Sequence, residues 1–558
     1  MDVSTALAQA DRLRQQGDFA AALGACDQIL MQNSGAAEAH MLRAHALIAL
    51  QRPEDAVAAL GHLLAIQPTS AAALILRGET RMTLGQFARA LEDFDLAAAL
   101  DVDATYAQGT ALYLALRICR WDGFADAVED LHARVRAADA VIKPYHFLAL
   151  PASSQLQRKC AADFYRDTTG VEEGQVPAAG PTDKIRLGYF SADFRAHATA
   201  HLIAGLLRAH DRTKFEVVAF SLSGDPRDPV QRLMKGSVDR WIDISPMSDD
   251  AAVASARALG IHIALDLNVY LHRQPALFAR RVAPIQVGYL GYPGTSAADC
   301  YDYLIGDSIV TPLAHAADFS ERLVLLPGAY QPTNFRTLPP LKVPARAALG
   351  LPEQGFIFCC FNDSFKITPD VFDIWMRLLL AVEGSVLWLL APNDIAMRNL
   401  RAEAGKRGVL PERLIFAPRV SLQDYIARQG AADLFLDTFH YNAHTTASDA
   451  LWAGLPLLTC IGETFASRVA ASLLTAAGLP DLIAANAVDY EKMALELATQ
   501  PDKLKQLRAK LQNNKLTCAL FDTARYTRNL EAAYLQMWER SAAGLAPDHI
   551  TVTDDYIP

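Results

Sequence analysis

The chain has 558 residues, 51% of them hydrophobic and 20% charged, which is enough for three or four folded domains and excludes a disordered or fibrous protein. Its formal net charge of −10 argues against a generally basic surface that would wrap nucleic acid. No window of eighteen uncharged apolar residues occurs, so the sequence does not support a membrane span.

The N-terminal segment MDVSTALAQADRLRQQ has the pattern of an amphipathic helix and lacks the order of a secretory signal. The eight cysteines are scattered and form no CxxC pair. In a chain of this length, that usage predicts reduced thiols, with neither a disulfide framework nor a zinc knuckle. We therefore expect a cytoplasmic protein.

The first hundred residues repeat with a period of 34. Gly17 and Gly85 begin similar segments two periods apart, and a small residue recurs as Ala22, Ala56 and Ala90. This period is typical of tetratricopeptide repeats, which are pairs of helices that cross closely at small residues. We predict such repeats over 1–118, with a degenerate fourth unit starting near residue 104. A helical connector and linker is expected over 119–183, polar and loop-like from about residue 157.

From residue 184 onward, short apolar strands alternate with helical stretches in two series, which a Pro-rich bridge separates. This pattern predicts two parallel sheets covered on both faces, that is, two doubly wound α/β domains facing each other across a cleft. The predicted lobes are 184–340 and 345–545, the second including a C-terminal helix, and 546–558 is a tail. The predicted strands are 185–190, 216–220, 261–267, 285–290, 303–305 and 322–326, then 356–361, 386–390, 414–416, 434–437 and 457–460.

Ligands of such sheets bind beyond the carboxyl ends of the strands. After one strand, a helix is predicted to begin at Thr445, where its N-terminal N–H groups and the Thr445 and Thr446 hydroxyls could bind a diphosphate. Asp449, one turn later, could accept a hydrogen bond from a ribose. The alternative is an ordinary threonine cap. His440 and His444 are four residues apart, but without a third ligand they do not indicate a metal site.

Three other strand ends carry candidate residues. Lys366 lies in the loop after the first strand of the second lobe, from which an ammonium can reach a phosphate. His197 begins a helix after the first strand of the first lobe and is a candidate general base, or alternatively a capping or buried histidine. Gly291 allows either close approach to a ligand or a tight turn. GxxxxGK[ST], GxSxG and a GxGxxG after the first strand are absent, which argues against a P-loop ATPase, the usual hydrolase and a nicotinamide enzyme.

Several stretches together resemble the protein O-linked N-acetylglucosamine transferases in their compact bacterial form. They occur in order along most of the chain, and jointly they are specific. They are SADF at 191–194 with His197, APIQ at 283–286, LGYPGTS at 290–296, FN at 361–362 with Lys366, HTT at 444–446, LWAG at 451–454, GET at 462–464, ASRVAAS at 466–472 and YLQMWE at 534–539.

The resemblance implies an all-α tetratricopeptide superhelix followed by a GT-B fold, and an inverting transferase that needs no metal or other cofactor. It implies transfer of N-acetylglucosamine from UDP to serine or threonine hydroxyls of proteins, with the repeats guiding acceptors. Lys366 would neutralise the leaving diphosphate, and His197 is the family's debated base candidate. The implied nucleotide-sugar site comprises Leu290 and Gly291 at the sugar, Thr445 and Thr446 at the phosphates, Asp449 at the ribose, and Asp363, Tyr425, Tyr441 and His444.

Three of these positions depart from the animal members. Asp363 stands where they carry glutamine, Tyr425 where a histidine stacks on uracil, and Tyr441 where a cysteine lies beside the phosphates. An aromatic ring at 425 can still stack. The alternatives left open are another nucleotide sugar, an asparagine acceptor, and a repeat scaffold with a degenerate transferase lobe.

Overall fold

The computed structural model describes residues 3–100, 105–170, 174–178, 180, 182–224, 227–271, 274–337 and 342–554. The chain divides into two compact units, Met1–His146 and Phe147–Pro558. Within the described residues, none of the helices combines the length and the apolar character needed to cross a bilayer.

The first unit is built from helices, and consecutive helices joined by short turns pack as hairpins. The repeat positions Ala22, Ala56 and Ala90 are all buried, as expected where two helices cross closely. The helices are α1 (Val3–Gln15), α2 (Phe19–Gln32), α3 (Ala37–Ala49), α4 (Pro53–Ile66), α5 (Ala71–Thr83), α6 (Phe87–Leu100), α7 (Ala107–Arg117) and α8 (Phe124–Arg136), with the single turn α9 (Pro144–Phe147) at the unit boundary.

This unit extends beyond residue 118, the predicted end of the repeats. A Cβ on Gly109 of α7 would lie 2.3 Å from Cβ of Ile142, so the segment that follows α8 packs directly against α7. The prediction of a loop-like linker from about residue 157 is wrong over its first part, which is helical up to Thr169. Helix α10 (Ser154–Thr169) begins the second unit, and the Ser153 hydroxyl caps it by accepting from the Leu156 N–H at 3.2 Å.

The first lobe of the second unit contains an eight-stranded sheet in the order β14-β7-β6-β5-β4-β1-β2-β3, and every adjacent pair is parallel. Its central strands are apolar and buried because helices cover both faces. The strands are β1 (Ile185–Ser191), β2 (Phe215–Ser221), β3 (Arg240–Asp243), β4 (Ile263–Asp266), β5 (Ile285–Gly288), β6 (Tyr303–Asp307), β7 (Arg322–Leu326) and, from the C-terminal segment, β14 (Ile550–Thr551); the helices are α11 (Ala198–Ala209), α12 (Pro229–Lys235), α13 (Asp249–Ala258) and α14 (Gln274–Ala279).

The second lobe contains a six-stranded parallel sheet in the order β10-β9-β8-β11-β12-β13. Its strands are β8 (Ile357–Cys360), β9 (Val386–Leu390), β10 (Leu414–Ala417), β11 (Leu434–Leu436), β12 (Leu457–Cys460) and β13 (Ile483–Ala484); its helices are α15 (Pro369–Ala381), α16 (Asp394–Lys406), α17 (Leu422–Gln429), α18 (Thr445–Ala453), α19 (Val469–Ala476), α20 (Ala487–Thr499) and α21 (Pro501–Asn514). The last helix of the chain is α22 (Thr523–Ala542).

The C-terminal region differs from its prediction. Helix α22, assigned to the second lobe from the sequence, packs on the first lobe against α11, β5 and β7. Its Tyr534 hydroxyl lies 3.1 Å from that of Tyr189, and its Tyr526 hydroxyl lies 2.6 Å from that of Tyr289. The predicted tail 546–558 is also wrong as a tail, because β14 within it pairs with β7. Residues 555–558 of that range lie outside the described residues.

Candidate active site

Both sheets have a point at which the chain order reverses. In the first sheet, β1 lies between β2 and β4, and in the second, β8 lies between β9 and β11. Ligands of open parallel sheets bind beyond the strands at such points. His197 follows β1, Lys366 follows β8, and α18 follows β11. Three of the predicted functional segments therefore lie where the topology favours a ligand.

A cavity of about 620 Å³ lies between the two lobes. This volume is within the usual range for sites that hold small molecules and cofactors. It is lined by six of the predicted site residues, of which His197 comes from the first lobe and the others from the second: Asp363, Tyr425, Thr445, Thr446 and Asp449.

Helix α18 presents its N terminus to this cavity. Its N-cap residue, His444, makes no capping hydrogen bond through its side chain. Within the described ranges, the backbone N–H groups of Thr445 and Thr446 have no acceptor in the protein. Two unused donors at the positive end of a helix form a site suited to an anion.

Asn362 connects the start of α18 to the loops after β8 and β11. Its Oδ1 accepts from the Thr446 hydroxyl at 2.6 Å, and its Nδ2 donates to the Thr438 hydroxyl at 2.8 Å and to Asp437 Oδ1 at 3.1 Å. Asn362 is 2% exposed, so these bonds are shielded from water. The Thr446 hydroxyl thus has a fixed direction.

Asp437 organises the loop that leads to α18. Its Oδ1 accepts from the N–H groups of Thr438 at 2.8 Å and Ala443 at 2.6 Å, and its Oδ2 accepts from the Thr459 hydroxyl at 2.7 Å. Burial raises the pKa of Asp437 to about 6, while these donors favour the ionised form. The carboxylate bends the chain back on itself so that α18 begins beside the cavity.

The Lys366 ammonium is held by neutral groups. Nζ donates to the Asn442 carbonyl at 2.9 Å and lies 3.9 Å from the centre of the Tyr441 ring. Among the described residues it makes no ion pair. Burial lowers its pKa to about 8, although the Asp437 and Asp363 carboxylates act in the opposite direction. A partly desolvated cation that forms no direct ion pair in the described residues is a suitable site for an anionic ligand.

Tyr441 and His444 lie around Lys366, and none of these three residues is among those that line the cavity. The two rings are 4.7 Å apart, and Tyr441 supplies the face on which the ammonium rests. His444 Nε2 donates to the Ala466 carbonyl at 3.2 Å, and burial, with the nearby Lys366 charge, holds the pKa of His444 well below its usual value. The structure therefore brings both residues to the lysine.

Asp449 is a buried carboxyl that faces the cavity. It is 4% exposed, and no donor among the described residues bonds to its side chain. Burial raises its pKa to about 8. Its hydrogen-bonding capacity is therefore available to a ligand, and its role at a ribose stays a prediction.

Tyr425 forms part of an aromatic wall. Its ring lies 5.8 Å from that of Phe361, which also lines the cavity. The Arg428 guanidinium, 3% exposed, lies 4.8 Å from the Phe361 ring centre and 5.3 Å from that of Tyr425. Arg428 therefore supports both rings from behind, and the wall is suited to stacking of a planar base.

Asp363 lines the cavity, and it lies three residues before Lys366 in the chain. It also stabilises the local backbone. Its Oδ1 accepts from the Ser364 N–H at 2.8 Å and so caps the short 3-10 turn that carries Lys366. Its charge acts on Lys366 and favours the ammonium form. The Asp363 carboxylate therefore stabilises the charged form of Lys366.

His197 is the N-cap of α11. Its Nδ1 accepts from the Thr199 N–H at 3.3 Å and lies 3.5 Å from Asp193 Oδ2. Asp193 is in turn fixed by Asn268, whose Nδ2 donates to the same oxygen at 2.7 Å. Burial lowers the pKa of His197, with Asp193 opposing the shift. The neutral ring borders the cavity, and its Nε2 has no partner among the described residues.

Leu290 and Gly291 are not in the wall of this cavity. Leu290 has φ of +71°, a left-handed conformation that costs free energy in a branched residue. A Cβ on Gly291 would lie 2.0 Å from the Leu267 carbonyl oxygen, so only glycine fits where this turn crosses the end of β4. The tight-turn explanation of Gly291 accounts for this geometry, and their role at a sugar stays a prediction.

Several residues that line the cavity were not predicted from the sequence, among them Asn334, Phe335 and Arg419. Arg419 lies just beyond β10, where the strand-end rule would have selected it. Asn334 and Phe335 belong to the segment after β7, and no local pattern marks them. Within the described ranges, no cluster of three or more histidine, cysteine or acidic side chains could hold a metal ion.

Both units are similar to known proteins. A tetratricopeptide repeat model matches residues 13–79. The chain is 34% identical over 462 residues to the probable UDP-N-acetylglucosamine–peptide N-acetylglucosaminyltransferase SEC of Arabidopsis thaliana, covering 78% of this chain and 47% of that protein. It is 27% identical over 574 residues to the UDP-N-acetylglucosamine–peptide N-acetylglucosaminyltransferase of Caenorhabditis elegans, covering 78% and 49%. The chain thus spans about half the length of these curated relatives.

The structure of a mutant of the Thermobaculum terrenum O-GlcNAc transferase superposes with a TM-score of 0.72 at 27% identity, covering 97% of this chain and 98% of that one. Together with the repeat match and the two parallel-sheet lobes, this superposition confirms the predicted repeat-plus-GT-B fold. The model for glycosyl transferase family 41 matches residues 174–340 and 332–530, well over half of the chain, and the protein therefore belongs to glycosyl transferase family 41.

Proposed function

We propose that this protein transfers N-acetylglucosamine from UDP-N-acetylglucosamine to serine or threonine hydroxyls of proteins. The names of the Arabidopsis and Caenorhabditis relatives support the donor and a peptide acceptor. The helical repeats support binding of protein acceptors, which we assign to the first unit. The eight free cysteines fit a reducing, cytoplasmic location.

The observation that carries this proposal is the Lys366 ammonium, which forms no ion pair among the described residues and donates to the Asn442 carbonyl, three residues before the uncapped start of α18. When the bond between the sugar and UDP breaks, negative charge develops on the leaving diphosphate. Fixed donors aimed at that charge stabilise the transition state more than the ground state. Lys366, with the N–H groups of Thr445 and Thr446, supplies them.

We further propose that the reaction is independent of metal and inverts the anomeric centre. Lys366 and the α18 dipole would do the electrostatic work of a divalent ion. The leaving group would lie against the second lobe. His197, in the first lobe, would accept the proton of the attacking hydroxyl through Nε2 in the tautomer whose Nδ1–H points to Asp193 Oδ2, 3.5 Å away, in place of the cap on the Thr199 N–H. Attack from the side opposite the leaving group gives inversion.

Calorimetric titration with UDP-, GDP- and other nucleotide sugars tests the donor, and we expect UDP-N-acetylglucosamine to bind in EDTA. Intact-mass analysis of cytosolic proteins after incubation would show additions of one N-acetylhexosamine, and NMR of the product would show a β linkage. Binding of a different nucleotide sugar would change the donor, and glycosylated asparagine would change the acceptor. Failure to bind any nucleotide diphosphate would instead favour a repeat scaffold with an inactive lobe.

A further inference from the structure

A fully buried carboxylate lies between the two lobes, away from the residues assigned to the reaction. Asp307 ends β6, and its Oδ1 accepts from the N–H groups of Ile309 at 2.8 Å and Val310 at 2.9 Å. Its Oδ2 accepts from the Tyr330 N–H at 2.8 Å and from the Ser472 hydroxyl at 2.6 Å. Ser472 belongs to α19 of the second lobe. The same carboxylate thus folds a turn in one lobe and binds a helix of the other.

Arg468, immediately before α19, makes a second connection. Its Nε donates to the Ile309 carbonyl in the first lobe, and its Nη1 donates to the Gly462 carbonyl in the second lobe at 2.8 Å. Beside it, the Tyr330 and Phe465 rings meet edge to face with centres 5.0 Å apart. The contact between the lobes here combines buried hydrogen bonds with aromatic packing.

A third connection reaches the helix assigned to the diphosphate. Gln331 Nε2 donates to the Ser448 hydroxyl at 3.2 Å, and that hydroxyl donates to the Thr445 carbonyl at 2.9 Å. Gln331 is 2% exposed and stands three residues before Asn334, which lines the cavity. The first turn of α18 is therefore attached directly to the first lobe.

We propose that these five residues, Asp307, Gln331, Ser448, Arg468 and Ser472, form an interlobe joint that fixes the first lobe relative to the nucleotide-binding lobe. Asp307, Gln331 and Ser472 are then positioning residues for the transfer reaction. This inference rests on the proposed function, because the joint matters to catalysis only if the reaction occurs in the cavity between the lobes.

The distribution of the site between the lobes gives the joint a specific consequence. Lys366, Thr445, Thr446 and Asp449, which we assign to the nucleotide, all belong to the second lobe, whereas His197 belongs to the first. A displacement of one lobe would leave the nucleotide site intact and move His197 away from the reacting hydroxyl. Misplacement of reacting groups by about 1 Å can reduce a rate by roughly 10²-fold.

The double variant Ser472→Ala with Gln331→Leu tests this directly. It removes two hydrogen bonds between the lobes, while Asp307 keeps its three backbone donors. We expect kcat for glycosylation to fall by about tenfold or more, with the Kd for UDP within twofold of the unmodified protein. The matched control is Thr475→Ala in the same helix, because within the described part of the chain the Thr475 hydroxyl bonds only to the Ala471 carbonyl; it should change neither quantity. Unchanged kcat in a folded double variant, or a parallel loss of UDP affinity, overturns the proposal.

A distance measurement tests the joint without any activity. Nitroxide labels at Leu233→Cys in α12 and Val488→Cys in α20, both exposed positions, report the separation of the lobes, with Cys518→Ser to remove the one cysteine that is not buried. We expect one narrow distance distribution, unchanged by UDP, and a broader one in the double variant. A wild-type distance that shifts with UDP, or no broadening in the variant, contradicts the joint. If the protein binds no UDP, the proposed function fails, yet the comparison of label distributions still decides on the joint.

Discussion

Lys366 is the residue on which the electrostatics of the site depend, because its ammonium is surrounded by a carbonyl and an aromatic face. Lys366→Ala removes the cation that we assign to the leaving diphosphate. We expect kcat to fall by about 10²–10³-fold, the loss typical of one transition-state donor. Steady-state kinetics with saturating donor measures this, and unchanged turnover would remove Lys366 from the mechanism.

The pH dependence of the reaction provides a second check on the same side chain. Since the pKa of Lys366 is lowered to about 8, its charge is present at pH 7 and is lost as the pH rises above 8. We expect kcat/KM, which reports the free enzyme, to decline through that range. Lys366→Arg carries a guanidinium that does not titrate there, so this variant should lack the decline. Equal alkaline declines in both proteins would assign the titration to another group.

The raised pKa of the buried Asp449 carboxyl leads to a prediction about how the free energy of unfolding depends on pH. Its pKa is raised from 3.8 to about 8 by burial, so the folded protein retains a proton that the unfolded chain releases between these values. The free energy of unfolding of the wild type should therefore fall, relative to Asp449→Asn, as the pH rises from about 4 to about 8. Urea unfolding at pH 5 and pH 8 measures the difference. Glu412→Gln, at an exposed acid, is the control, and a pH-independent difference for Asp449→Asn would contradict the prediction.

The start of α18 is held in place by the side chain of Asn362, which lies in the loop after β8. Asn362→Ala removes the hydrogen bonds that join Thr446, Thr438 and Asp437. We expect a loss of about 1–3 kcal/mol in unfolding free energy, because buried partners are left unpaired. UDP affinity should also fall, since the Thr446 hydroxyl loses its fixed direction.

The control for this variant is Asn486→Ala, which removes the N-cap of α20, where Asn486 Oδ1 accepts from the Asp489 N–H at 2.9 Å. It should cost about 1 kcal/mol of stability and leave UDP affinity unchanged. Equal UDP affinity in Asn362→Ala and the wild type, by calorimetry, would show that Asn362 supports the fold alone.

The sequence was sufficient for elements with strong local patterns. The 34-residue period located the helical hairpins, and apolar runs located β1, β2, β8 and β12 within a residue or two. Strands β13 and β14 have two residues each, and β3 is a partly exposed edge strand of four residues, so none has a pattern that differs from a loop. The apolar stripe of α22 predicted that the helix is buried but carried no information about which lobe buries it.

The same limit applies to the site. Thr445, Asp449 and Lys366 follow strands, so topology alone predicts that they converge. The positions of Tyr441 behind Lys366 and of Leu290 outside the cavity depend on side-chain packing and a left-handed backbone angle. Neither feature leaves a periodic signal in the sequence.

The C-terminal segment that follows Gly544 completes the sheet of the first lobe, because β14 pairs with β7. Deleting residues after Gly544 would remove β14 and its pairing with β7, the His549 Nδ1 that accepts from the Leu323 N–H at 2.9 Å, and the Asp554 partner of Arg525. We expect Tm to fall by a few degrees, at about 2–4 °C per kcal/mol for a domain of this size. UDP affinity should be retained because its residues lie in the other lobe. A Tm equal to that of the full chain would contradict this role.

The return of α22 to the first lobe also has a consequence for synthesis on the ribosome. Helix α22 and strand β14, which complete the first lobe, are synthesised only after the second lobe, roughly 200 residues after β7. At a translation rate of about 5–20 residues per second, this face of the first lobe stays exposed for about 10–40 s before α22 can pack on it. During this interval the nascent chain presents an uncovered apolar surface around Tyr189 and Tyr289, which makes it a natural client for ribosome-associated chaperones.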